Sequence, residues 1–103
     1  MPYPQDQPFV AATGTRLAHG TASVGVAAAA ISATALYGKV FLLQARSTNA
    51  GTITIGGDVT ITSVGGGVTL AAGDTLILPI DDLSKAFGIA SAPAQNLDFL
   101  RLS

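Results

Sequence analysis

Breaks recur in this chain about every eight to twelve residues, the spacing of strands and tight turns in a sandwich or barrel. Glycine, proline, asparagine and aspartate make the breaks, and Val, Ile, Leu and Thr fill the runs between them. Those filling residues suit a pleated, half-buried surface. The acidic residues point the same way. All are aspartates (Asp6, Asp58, Asp74, Asp81, Asp82, Asp98), and glutamate is absent. Aspartate favours turns and caps, whereas glutamate favours helix interiors. The expected fold class is all-β, a small antiparallel β-sandwich or barrel with an extended N-terminal arm. A length of 103 residues suffices for one compact domain with one core. The expected division is an arm over residues 1–15 and a single β-sandwich domain over residues 16–103.

The arm is read from Pro2, Pro4 and Pro8, because proline fixes φ and biases its predecessor toward extended backbone. Tyr3 and Phe9 would anchor it on a neighbouring subunit. The segment has neither a basic n-region nor an apolar h-region, so it does not read as a signal peptide. RLAHGTASVGV (16–26) reads as a strand, bent at Gly20. The alanine-rich AAAAISATAL that follows lacks a polar face and reads as a loop or extended crossing, with a short helix as the alternative. KVFLLQAR (39–46) is apolar on both faces, as in a central or covered strand. SVGGGVTLAAGD (63–74) reads as two glycine turns around a short apolar piece. TLILPI (75–80) is a strand that ends, or lies at an edge, at Pro79. DDLSKAFGIAS (81–91) starts with an aspartate cap and one turn, then continues as a strand. NLDFLRL (96–102) is the last strand.

NAGTITIGGDVTIT (49–62) alternates Ile or Val with Thr on both sides of a glycine pair. A three-residue loop at Gly56-Gly57-Asp58 would set Ile55 opposite Val59 and Ile53 opposite Ile61. Thr54 would then pair with Thr60, and Thr52 with Thr62. Every threonine falls on one face in that register. The expectation is a flat hydroxyl row of Thr52, Thr54, Thr60 and Thr62, and with Tyr3, Pro4, Pro8 and Phe9 these are the candidate interface residues.

Chemistry is sparse. The single histidine, His19, has no nucleophile elbow to serve and cannot form a zinc site alone. Cysteine is absent, which excludes disulfides and thiolate metal sites. Val40 follows Gly38-Lys39 where a phosphate loop needs Ser or Thr for magnesium. Asp81-Asp82 reads as a cap in preference to a calcium site. Two tyrosines and four phenylalanines are too dispersed for a stacking platform. The five basic residues are scattered, so no stripe exists for nucleic acid, and no apolar run is long enough to span a bilayer. A protein that is not an enzyme, with no cofactor, no metal, no nucleic acid and no membrane partner, is expected. Charged residues are only 11 % of the chain, below the roughly 25 % of ordinary domains. Part of so uncharged a surface is expected to lie against other subunits.

VFLLQARSTNAGTITIGG (40–57), followed by GVTLAAGDTLILPIDDLSKAFGIA (67–90), resembles a pattern in small virion proteins of tailed bacteriophages. An apolar strand ends in Gln-Ala, Thr-Asn-x-Gly leads into a strand ending Ile-Gly-Gly, and an Ala-Gly-Asp turn precedes Leu-Pro-Ile and Asp-Asp-Leu. The match covers about half the chain. The resemblance implies a capsid decoration (cement) protein on the virion surface, assembled in the host cytoplasm. It implies binding to the major capsid protein across capsomer boundaries, often as a trimer. The same pattern near tail genes implies, as the alternative, a head–tail connector or a fibre-associated module binding host glycans, for which Tyr37 is the aromatic placed at a loop.

Overall fold

The computed structural model describes residues 18–63 and 65–103. The arm, with Tyr3, Pro4, Pro8 and Phe9, lies outside the described residues. Among the described residues eight strands follow one another: β1 (His19–Val24), β2 (Ala29–Ala30), β3 (Phe41–Ala45), β4 (Ile53–Gly56), β5 (Val68–Leu70), β6 (Thr75–Leu78), β7 (Phe87–Ala90) and β8 (Gln95–Arg101). A short 3-10 turn, Leu83–Lys85, precedes β7. Among the described residues no helix is long and apolar enough to cross a membrane.

The strands form two four-stranded sheets, in the orders β1-β8-β3-β6 and β2-β7-β4-β5. Every neighbouring pair is antiparallel. The all-β sandwich expected from the turn spacing is therefore the fold. The first strand pairs with the eighth, the second with the seventh, the third with the sixth and the fourth with the fifth. This is one long antiparallel ribbon folded over on itself, the double Greek key of a jelly roll.

Most strands bury one face, and β4 buries both, with Thr54 on the face away from the core. Phe41, Leu43 and Ala45 of β3, Ile53 and Ile55 of β4, Leu97 of β8 and Leu83 of the turn form the core between the sheets. Burying each large side chain stabilises the fold by about 1.5–3 kcal/mol. β3 lies between β8 and β6, as its apolar run suggests, yet its outward residues Leu42 and Gln44 remain partly or fully exposed. β6 is an edge and stops before Pro79. Its Leu76 and Leu78, with Ile80 beyond it, pack on the core. The alanine-rich stretch is extended, not helical. Ala29 and Ala30 pair with Gly88 and Phe87, and the Ile31 N–H donates to the Ala86 carbonyl at 2.9 Å. With Ile31 buried and no polar face to offer solvent, the segment gains more from pairing than from helix propensity. Gly20 stays within β1 because Phe99 lies across it; a Cβ there would meet the ring at 2.8 Å.

The ribbon at residues 49–62 departs from the expected hairpin. β4 pairs with β5 and β7 and never with residues 59–62: Ile53 faces Leu70, Thr54 faces Thr69 and Ile55 faces Val68. The reason is local. Asp58 accepts from the Thr60 N–H at 2.8 Å and the Thr60 hydroxyl at 2.6 Å. That Asx turn bends the chain where the hairpin would have run straight. The segment then folds back, and Ile61 settles, buried, against Gly56 and Gly66.

Candidate interaction surface

The four threonines of the expected row do not share a face. Thr54 is 0 % exposed. Its hydroxyl lies 2.9 Å from that of Thr69 and 3.4 Å from the Ser63 carbonyl, beneath the returning loop. Thr52 is half-buried, its N–H donating to the Ser91 hydroxyl at 2.8 Å. Thr60 is exposed within the Asx turn. Thr62 is exposed and bridges to Gly65. Thr54 is thereby removed from the candidate interface, and the flat hydroxyl row does not form.

Two polar clusters among the described residues centre on aspartates. On the outer face of the first sheet, Arg46 grips Asp98 with two bonds, Nη2 to Oδ1 at 2.7 Å and Nε to Oδ2 at 3.1 Å. The Thr21 hydroxyl donates to the same carboxylate at 2.6 Å. The Arg46 contact, then the Thr21 hydroxyl, holds the Asp98 carboxyl below its ordinary value. Asp98 in turn raises the guanidinium. The trio ties β1 and β8 to the end of β3, and an ion pair this open to water adds little stability.

The second cluster is Asp82, buried at the N-cap of the 3-10 turn. Its Oδ1 accepts from the Ser84 N–H at 2.9 Å, the Leu36 N–H at 3.0 Å and the Ser84 hydroxyl at 2.8 Å. The Ser84 N–H leads in holding this carboxyl below its ordinary range, followed by the Leu36 N–H. Asp82 is thus a cap, as the sequence suggests, and it staples the crossing from β2 to β3 onto the crossing from β6 to β7. Asp81 pairs with Lys85 at 3.2 Å. Among the described residues no three His, Cys, Asp or Glu side chains gather where they could hold a metal ion. His19 is exposed at the start of β1, opposite Leu100.

What remains is surface. The registers set the outward residues of the first sheet in rows across its strands. One row is polar: Thr21, Asp98, Gln44 and Thr75. The adjacent row runs His19, Leu100, Leu42 and Ile77, three of its four members apolar. Past it come Leu102 and Val40, joined by a backbone hydrogen bond of 2.8 Å. Ile77 is 54 % exposed and Leu102 42 %. An outer sheet face normally reads polar, so this apolar end is the part of the surface that asks for a cover. Sequence reading did not find it, because Leu42, Ile77 and Leu100 lie in three separate segments, and only the register aligns them. Tyr37 is 69 % exposed in the loop before β3, and its carbonyl accepts from Arg101 at 3.1 Å.

Searches for relatives find no matching family model, no similar curated protein and no similar solved structure.

Proposed function

We propose that this protein is a non-enzymatic virion structural protein, a capsid decoration (cement) protein that binds the major capsid protein across capsomer boundaries. The observation that carries the reading is a sandwich with few charged groups, four of them closed in two ion pairs, while an apolar end of one sheet stays open. Arg46 with Asp98, and Lys85 with Asp81, are closed pairs. Such a surface sheds water at low electrostatic expense, and many copies on a symmetric shell multiply modest contacts into firm attachment. The phage-like pattern supports the same reading. Its two segments contain β3, β4, β5, β6 and β7, so the resemblance falls on the scaffold of both sheets and not on one loop.

The experiment is the copy number of this chain per purified virion, measured against the major capsid protein. On the order of hundreds of copies are expected for a cement bound by avidity. A handful per particle would overturn it and favour the neck or tail.

A second reading rests on Tyr37. An exposed aromatic beside polar groups is what a sugar site needs, and Tyr37 stands next to Arg101. A fibre-associated, glycan-binding module would then bind host oligosaccharides on an array, and Tyr37→Ala would abolish that binding; a blank array removes this reading.

A further inference from the structure

The alternation of ladder bonds shows which way β6 faces. The Arg46 N–H donates toward β8, to the Asn96 carbonyl at 3.1 Å, and the Ala45 N–H donates toward β6, to the Asp74 carbonyl at 3.0 Å. Antiparallel ladders alternate, so the odd-numbered residues of β3 bond to β6. Phe41 and Leu43 therefore exchange bonds with Leu78 and Leu76, their register partners. Thr75 and Ile77 are left directing their N–H and C=O groups away from the sheet. Among the described residues no strand lies on that side of β6.

Open edges invite another strand, and proteins blunt them with charge, proline, bulges or brevity. β2 and β5 are two and three residues long. β1 presents His19, Thr21 and Ser23, with Thr21 held in the Arg46–Asp98 cluster. β6 reads Thr-Leu-Ile-Leu without a charge, and Pro79 guards only its far end. It is also the edge on which the apolar row Leu100, Leu42, Ile77 emerges.

We propose that β6 joins two copies of this chain, antiparallel about a twofold axis at Ile77. The occupant that fits is a second β6, for two reasons. An isologous strand pair is self-complementary, and Ile77 would exchange both its bonds with Ile77 of the copy. Pro79, which has a carbonyl and no N–H, would accept from Thr75 of the copy but could not return the bond, so the ladder ends there. The two apolar rows would run end to end across an eight-stranded sheet and cover each other's exposed isoleucine. The strand itself has no charge, Arg46 and Asp98 are already paired, Asp81, beyond the strand end, is paired with Lys85, and Asp74, just before the strand, is turned back onto the Ala71 N–H. This join rests on ladder geometry and stands apart from the virion reading. It closes on a dimer, where the resemblance implies a trimer.

The test is the oligomeric state of the purified chain across a concentration series, by sedimentation or light scattering, with two variants. The wild type is expected to be a dimer and Ile77→Lys a monomer with unchanged circular dichroism. Because the chain has no cysteine, Ile77→Cys should form a covalent dimer under mild oxidation, while Ser23→Cys, on the opposite edge, should not. The proposal is overturned by a wild-type monomer at every concentration, by a trimer, or by a dimer indifferent to Ile77→Lys. It is equally overturned if Ser23→Cys links and Ile77→Cys does not. Should Ile77→Lys fail to fold, the Ile77→Cys cross-link decides.

Discussion

Lysine placed at Thr54 and at Thr60 should have opposite consequences, although the two threonines look alike in sequence. Thr54 is wholly buried, roofed by the loop that carries Ser63, with Thr69 as its hydroxyl partner. An ammonium there loses its water and finds no carboxylate: the nearest hydrogen-bonding groups are one hydroxyl and one carbonyl. Its long stem can thread toward solvent past Thr69, but only by lifting the loop and uncovering Ile61. The loss is about 3 kcal/mol or more, from the unpaired charge and the displaced loop together. That is a large share of the roughly 5–15 kcal/mol that holds a domain folded. Thr60 is exposed, so Thr60→Lys forfeits only its hydroxyl bond to Asp58 and should stay within about 0.5 kcal/mol. Urea unfolding followed by circular dichroism measures both. Thr54→Lys should lower the midpoint strongly at constant slope, or abolish folding, while Thr60→Lys leaves the midpoint in place. Equal effects of the two lysines would refute the buried placement of Thr54 and restore a hydroxyl row open to solvent.

Two further outcomes are expected. A Cβ at Gly67 would run into the Ile55 carbonyl oxygen, whereas one at Gly57 meets nothing; Gly67→Ala should therefore destabilise by about 1–3 kcal/mol or more and Gly57→Ala should be nearly silent, read from thermal midpoints. The carboxyls of Asp82 and Asp98 are depressed in the folded state, so the stability they contribute is present above the ordinary carboxylate value of about 3.9 and is lost as pH falls through their lower folded values; an acid titration of stability should fall less steeply in Asp82→Asn than in the wild type, and an unchanged acid limb would refute the role given to the cap.

Strand positions were legible wherever one pattern had one reading. KVFLLQAR read as central or covered, Pro79 as a strand end or an edge, and Asp82 as a cap in preference to a calcium site, and in each the favoured reading matches the fold. The ribbon failed because two segments offer β4 the same partner. Val59-Thr60-Ile61 and Val68-Thr69-Leu70 both read apolar, threonine, apolar, and alternation cannot choose between them. The choice fell to Asp58, whose side chain seizes Thr60, and to Gly67, which lets the backbone pass close to Ile55. The Asp-x-Thr turn was visible in the sequence and could have warned against the hairpin. The apolar row of Leu100, Leu42 and Ile77 was not visible, since it exists only through pairings between distant strands.

The nested pairing of the strands also fixes the order in which this chain can acquire its shape. β4 and β5 are the nearest in sequence of the nested pairs and can meet first. Each further pair encloses the one before it, and the last, β1 with β8, brings His19 beside Leu100. Closing so wide a loop is slow on the scale of small domains, milliseconds to seconds for comparable all-β topologies. Synthesis must also pass Arg101 before β8 exists to be paired. Until then β3 lacks one neighbour, and Leu97, which ends fully buried, has not arrived. β8 is thus the latch of the sandwich, and disrupting it should cost the fold its closure, because β1 and β3 both pair with it.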